Sequence, residues 1–126
     1  MKQVVKSEKS AKALGPYSAG IAIDSFVFLS GQLGIDQNGD LVSDNVVEQT
    51  KQAFVNIKNL LESQGLTYSD IIKTTVFLSN IEDFGKVNEE YGKYFDNAYP
   101  ARSCFEVACL PKNAKVEIEC IAWREK

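Results

Sequence analysis

The sequence predicts an α+β fold, a mixed β-sheet with two helices packed on one of its faces. Short runs in which apolar and polar residues alternate at a period of two are typical of strands, and two longer runs repeat at helical spacing. In chain order these runs give βββ-α-β-α-ββ, counting a short first strand at residues 3–6. Because crossovers between parallel strands are right-handed, both helices are expected on the same face.

The first half of the chain predicts a hairpin and then a long helix. Residues 21–23 and 26–30 flank the two-residue turn Asp24-Ser25, which indicates antiparallel strands. Apolar side chains then recur at helical spacing from Val46 to Leu61. Asn45 stands directly before this run and can cap its first turn, so we expect a helix of about 19 residues with one core face.

A strand and a shorter helix come next. Residues 71–78 are rich in β-branched side chains, which favours a strand, and Asn80 can cap the helix that follows. The expected inner stripe of this helix is Ile81, Phe84, Val87, Tyr91 and Phe95. Asn88 projects from the same face, so its amide needs a hydrogen-bond partner from the fold or from a ligand.

Two strands, at residues 102–108 and 116–123, close the chain. Along the first of them, Ser103, Phe105 and Val107 alternate with Arg102, Cys104 and Glu106. Antiparallel pairing of the two strands would place Glu117 near Cys104 and Glu119 near Arg102. A slip of two residues in the register would change these partners, so the assignment of each glutamate stays open.

Length and charge indicate one ordinary globular domain, residues 1–126, with no nucleic-acid partner. Apolar residues make up 44% of the chain and charged residues 25%, as in typical globular domains. The net charge is −3 and the pI is about 5.0. A protein that binds a phosphate backbone needs clustered lysines and arginines, which this composition does not provide.

Cysteine and histidine usage suggests a cytoplasmic protein without a metal site. The N-terminus lacks a long apolar run, so we expect neither a signal peptide nor a membrane span. Three cysteines cannot form a full disulfide framework, and reduced thiols are the simplest interpretation. The chain has no histidine, which removes the commonest general base and the commonest metal ligand.

Arg102 is the first candidate for a functional residue. It is one of two arginines among 14 basic residues, so lysine supplies the ordinary surface charge. The planar fork of a guanidinium holds a carboxylate or phosphate in one orientation. The alternative is a structural ion pair with Glu106, Glu117 or Glu119, which explains many such charges.

Two glycine-containing segments offer further candidates. In Gly15-Pro16-Tyr17-Ser18 the proline places Tyr17 at a rigid corner, where it could line a site or be an ordinary half-buried tyrosine. The segment Ser30-Gly31-Gln32 ends a strand, and its glycine either lets another group approach the backbone or simply permits a bend.

The sheet face opposite the helices is expected to be apolar. It would carry Phe26 or Val27 and, on the strand at residues 71–78, Val76 or Phe77, together with parts of the last strands. A monomer would leave such a face in water, and a contiguous apolar patch usually marks association. The sequence therefore predicts a homo-oligomer.

Seven segments together resemble one known family. They are Gly15-Pro16-Tyr17-Ser18, Ser30-Gly31-Gln32, Lys73-Thr74-Thr75-Val76-Phe77, Val87-Asn88 with Tyr91, Pro100-Ala101-Arg102-Ser103-Cys104, Leu110-Pro111-Lys112 and Val116-Glu117-Ile118-Glu119. In this order and spacing they are similar to the Rid family of reactive-intermediate (enamine/imine) deaminases, RidA type. The resemblance covers nearly the whole chain.

The resemblance implies a fold, an assembly and an activity. The fold would be chorismate-mutase-like, assembled as a homotrimer with three clefts between subunits. The activity would be hydrolysis of short-lived 2-enamino or 2-imino acids, such as 2-aminoacrylate, to 2-keto acids and ammonia, without a cofactor. Leu33-Gly34 and Cys109 depart from the usual family pattern.

The resemblance also implies roles for particular residues. Arg102 would hold the substrate carboxylate, Cys104 would contribute through its backbone, and Glu117 would position or activate water. The residues lining the cleft would be Tyr17, Ser30, Gly31 and Asn88.

Two other functions remain open at this point. The same cleft could bind a small carboxylate in a non-catalytic or regulatory trimer, because fold likeness does not guarantee activity. RNA cleavage or translation inhibition has been attached to relatives, but the acidic pI and the missing histidine count against it here.

Overall fold

The computed structural model describes residues 1–96 and 98–125 and confirms the predicted element order. Within these residues the elements are β1 (Gln3–Val5), β2 (Gly20–Ile23), β3 (Phe26–Leu33), α1 (Val46–Glu62), β4 (Ile71–Leu78), α2 (Phe84–Tyr91), β5 (Ala101–Glu106) and β6 (Val116–Trp123). Short 3-10 turns precede β4, α2 and β6.

The strands form one mixed sheet in the order β1-β2-β3-β6-β4-β5. All neighbouring pairs are antiparallel except β4 and β5, which are parallel and joined through α2. Helix α1 packs on β3 and β6 and also contacts α2, so both helices cover one face, as predicted.

Helix α1 begins where the sequence indicates. The Asn45 side chain accepts hydrogen bonds from the backbone N–H groups of Val47 and Glu48 at 2.8 and 3.1 Å, which satisfies two donors of the first turn. Phe54 and Ile57 are fully buried between the helix and the sheet. The helix runs for 17 residues, close to the predicted length.

The predicted pairing of the last two strands is wrong. β5 pairs in parallel with β4, and β4 lies between β5 and β6. Arg102 therefore lies beside Thr74, while Glu119 lies beside Thr75 on the other neighbour of β4. The α2 crossover adds β5 to the free edge of β4, and β6 fills the central position, where its alternating apolar residues are buried on the helix side.

The predicted inner stripe of α2 is only partly correct. Val87 and Tyr91 are buried, but Ile81 is 45% and Phe84 38% exposed. Asn80 caps a 3-10 turn at Ile81–Asp83, and three residues per turn shift the phase of the residues before the helix. Asn88 lies on the same side of α2 as Tyr91 but is itself exposed.

The second face of the sheet carries several exposed apolar side chains. Val27 and Val76 are fully buried beneath the helices, which leaves Phe26 and Phe77 on the opposite side. Large apolar residues that are 39–46% exposed include Ile23, Phe26, Phe28, Phe105 and Trp123. This open face has the character expected of an association surface.

Candidate active site

Arg102 projects from the edge strand β5 toward α2. Its Nη1 donates a hydrogen bond to Asn88 Oδ1 at 2.6 Å. The guanidinium carbon also lies 4.8 Å from the ring centroid of Tyr91 and 5.5 Å from that of Phe84, within cation–π range. The hydrogen bond and the two rings hold the charge at a defined place on the surface.

The structural ion pair weighed for Arg102 is not present among residues 1–96 and 98–125. The ion pairs found there join Lys51 to Glu48 and Lys93 to Glu90. Glu106 instead accepts a hydrogen bond from the backbone N–H of Ile81 at 2.9 Å. An open pocket of about 440 Å³ lies beside Arg102, lined by Asn88, Tyr91, Gly92, Tyr99, Pro100 and Arg102.

Glu117 lies against Gly31 where β6 pairs with the end of β3. A Cβ atom added to Gly31 would stand 2.5 Å from Glu117 Oε2, so only glycine leaves room for the carboxylate here. Burial raises the pKa of Glu117, and the neighbouring charge of Glu119 raises it further. A carboxyl with a raised pKa can exchange protons closer to neutral pH than an exposed one.

Tyr17 and Ser30 belong to the neighbourhood of Gly31. Ser30 Oγ donates to the carbonyl of Ser18 at 2.7 Å, which fixes the loop to strand β3. The Tyr17 hydroxyl accepts from the backbone N–H of Leu14 at 3.1 Å, and Tyr17 is 48% exposed. Tyr17 and Gly31 both line a small cavity of about 40 Å³.

Cys104 lies on the same side of β5 as Arg102 and packs against the main core. Burial raises the pKa of the Cys104 thiol, and the charge of Arg102 opposes this only in part. The thiol is therefore mostly protonated at neutral pH and is a weak nucleophile. This fits a contribution from the backbone of Cys104 better than one from its sulfur.

One chain does not bring all the predicted site residues together. Arg102, Asn88 and Cys104 form one group at the helix-covered side of β5, whereas Glu117 faces the open side of β6 beside Phe77. From the register, Arg102 and Glu117 are two strands and three residues apart, or about 14 Å between Cα atoms. A small substrate cannot touch both side chains of the same chain.

Thr74 and Tyr91 are two residues whose roles the sequence did not reveal. Thr74 Oγ1 and Tyr91 Oη form a buried hydrogen bond of 2.7 Å directly beneath the Arg102 guanidinium. The spacing in the sequence could have indicated a role for Tyr91. Tyr91 follows Asn88 by three residues, which places it one turn away on the same side of α2.

Within the described ranges, no helix is long and apolar enough to cross a membrane. Across the same residues, no group of three or more cysteine or acidic side chains is placed to hold a metal ion.

Several known proteins are similar to this chain over nearly its whole length. A family model described as endoribonuclease L-PSP matches residues 7–124. Reactive Intermediate Deaminase A, chloroplastic, from Arabidopsis thaliana is 51% identical over 122 residues, which cover 96% of this chain and 65% of that protein. The chain belongs to the Rid family.

Other Rid proteins match over nearly their full length. The Homo sapiens protein called 2-iminobutanoate/2-iminopropanoate deaminase is 42% identical over 123 residues, covering 97% of this chain and 90% of that protein. The crystal structure of E. coli TdcF with bound serine superposes with a TM-score of 0.92 at 39% identity, covering 98% of this chain and 99% of that one. The predicted family resemblance is thereby confirmed.

Proposed function

We propose that this Rid protein hydrolyses reactive 2-imino and 2-enamino acids to 2-keto acids and ammonia. For the imino form, one water adds across C=N and ammonia leaves, so that 2-iminobutanoate yields 2-oxobutanoate. The proposal rests on Arg102, which is fixed by Asn88 and Tyr91 beside an open pocket and forms no ion pair with a carboxylate of residues 1–96 or 98–125. The names of the Arabidopsis and human relatives support the same chemistry.

Arg102 and Glu117 have separate roles in the proposed reaction, one in substrate binding and the other in proton transfer. Arg102 binds the substrate carboxylate, and charge-assisted hydrogen bonds of this kind are worth about 1.5–3 kcal/mol each. Glu117 takes a proton from water as it attacks the imine carbon and returns one to the departing nitrogen, which its raised pKa favours. Tyr17, Ser30, Gly31 and the backbone at Cys104 line the cleft.

The cleft is proposed to form between copies of the chain. Since one chain separates Arg102 from Glu117, a complete site needs the Arg102 group of one copy and the Glu117 group of another. The exposed apolar residues of the open face supply an association surface for this assembly. We propose a homotrimer of chorismate-mutase-like single domains, residues 1–126, in the cytoplasm.

A coupled assay tests the activity directly. A serine or threonine dehydratase generates the enamine, and the loss of its absorbance is followed with and without this protein. The wild type should accelerate the loss, and Arg102→Ala should abolish the acceleration while circular dichroism shows an intact fold. Full activity of folded Arg102→Ala would reject the assignment.

A second candidate is a non-catalytic trimer that binds small carboxylates. The structure of E. coli TdcF contains bound serine, which shows that a relative can hold a small amino acid. Arg102 serves this function equally well, but the Glu117 carboxylate does not, because a second anion weakens binding of an anion. Saturable binding of 2-oxobutanoate without any acceleration in the coupled assay would favour this candidate.

A further inference from the structure

A buried hydroxyl pair lies beneath the proposed carboxylate-binding arginine. Thr74 Oγ1 and Tyr91 Oη are 2.7 Å apart, and the two residues are 0% and 4% exposed. Thr74 stands beside Arg102 in the parallel register of β4 and β5, and the Tyr91 ring lies 4.8 Å from the guanidinium carbon. One buried ring therefore touches both the central sheet and the candidate site.

The position of the Tyr91 ring is fixed from several directions. Its centroid lies 5.7 Å from that of Phe54 in an edge-to-face arrangement and 5.0 Å from that of Phe95. The hydrogen bond with Thr74 adds a polar contact to this packing, and the packing remains when the hydroxyl is removed. Burial also raises the pKa of Tyr91, so the ring stays a neutral phenol that offers its π face to the guanidinium.

We infer that Tyr91, packed against Phe54 and Phe95, is a positioning residue whose ring fixes the direction of the Arg102 guanidinium before the substrate binds. Asn88 engages Nη1 and the Tyr91 ring supports the group from one side, so the remaining donors point in a constant direction. An arginine side chain loses considerable rotamer freedom when it binds a ligand, and an arginine that is already ordered loses less. The inference deepens the proposed function, since it concerns the same carboxylate-binding residue.

The two arginines of the chain allow a direct spectroscopic test. The side-chain Nε–Hε region of a ¹⁵N NMR spectrum should show Arg102 and Arg124, and Arg124→Lys assigns them. Ring currents should displace the Arg102 proton upfield from the shift of free arginine. Tyr91→Leu should move it back toward that value, whereas Tyr91→Phe should preserve the displacement. Arg124, which bonds Gln64, serves as the internal control.

Binding of 2-oxobutanoate, followed by calorimetry, provides a second readout. Tyr91→Leu should weaken binding about 2- to 13-fold, the range expected when one rotamer-rich side chain must be ordered on binding. Tyr91→Phe should restore most of the affinity because it keeps the ring. Tyr68→Phe is the matched control, since it also deletes a hydrogen-bonded hydroxyl of the aromatic cluster but lies away from Arg102.

Neither readout requires turnover, so failure of this inference is distinguishable from failure of the deaminase proposal. If the chemical shift of the Arg102 Hε proton in the wild type equals that of free arginine, the inference is overturned. This result needs only the wild-type protein, so it holds even if Tyr91→Leu does not fold. A folded Tyr91→Leu protein with unchanged Arg102 shift and unchanged 2-oxobutanoate affinity would also overturn it.

Discussion

Replacing Gly31 by alanine tests whether the position of the Glu117 carboxylate controls turnover. The added Cβ would lie 2.5 Å from Glu117 Oε2 and 2.6 Å from its Cδ. Ordinary contacts between such atoms are about 3.5 Å, so the carboxylate must move by about 1 Å. A misplacement of about 1 Å can cost about 10²-fold in rate, and we expect turnover to fall by that factor.

The same variant should lose little stability. Overpacking costs about 1–3 kcal/mol, and the lower end applies because the half-buried Glu117 side chain can swing aside. Gly85→Ala is the matched control, since nothing lies within 4 Å of its added Cβ. It should keep wild-type turnover and gain about 0.5–1 kcal/mol from its helical position. Turnover is measured in the coupled enamine assay and stability by urea unfolding. Wild-type turnover in folded Gly31→Ala would show that the position of the Glu117 carboxylate does not control turnover.

Two further predictions concern ionisable groups. Burial raises the pKa of Glu117 in the folded state, so the folded protein keeps the carboxyl proton to a higher pH than the unfolded chain does. Above the folded-state pKa, the ionised carboxylate destabilises the fold. Glu117→Gln removes this charge, so it should raise Tm near neutral pH and change Tm little below about pH 4. It should also lower turnover, because it removes the proton-transfer group. An equal change in Tm at both pH values would contradict the prediction. Iodoacetamide should modify the exposed Cys109 at neutral pH well before Cys104, whose thiol pKa is raised by burial. Peptide mass spectrometry measures the two labelling rates. Rapid labelling of Cys104 would indicate a reactive thiolate and contradict the prediction.

Local patterns were sufficient to predict the elements of the fold. The helical spacing after Asn45 and the β-branched run at residues 71–78 each match an element whose apolar side is buried. The strand that pairs with β5 could not be predicted in the same way. The alternation of apolar and polar residues shows which face of a strand is buried, but it does not show which strand lies beside it. The 3-10 turn before α2 likewise puts Ile81 out of phase with the helix, and Ile81 is exposed.

The candidate site was predictable in its chemistry but not in its arrangement. The scarcity of arginine and the family motifs singled out Arg102 and Glu117. Their separation on opposite sides of the sheet depends on β4 lying between β5 and β6, which is a property of the tertiary fold. The support that Tyr91 gives to Arg102 also depends on a contact between two elements.

Each proposed site combines Arg102 of one copy with Glu117 of another, and refolding mixed variants tests this directly. Arg102→Ala and Glu117→Gln chains, each with low turnover on its own, are unfolded together, refolded as a mixture and assayed. In randomly mixed symmetric assemblies, about one quarter of the sites regain both residues, so about a quarter of wild-type turnover should return. Turnover no higher than that of the separately refolded variants would contradict a site shared between copies.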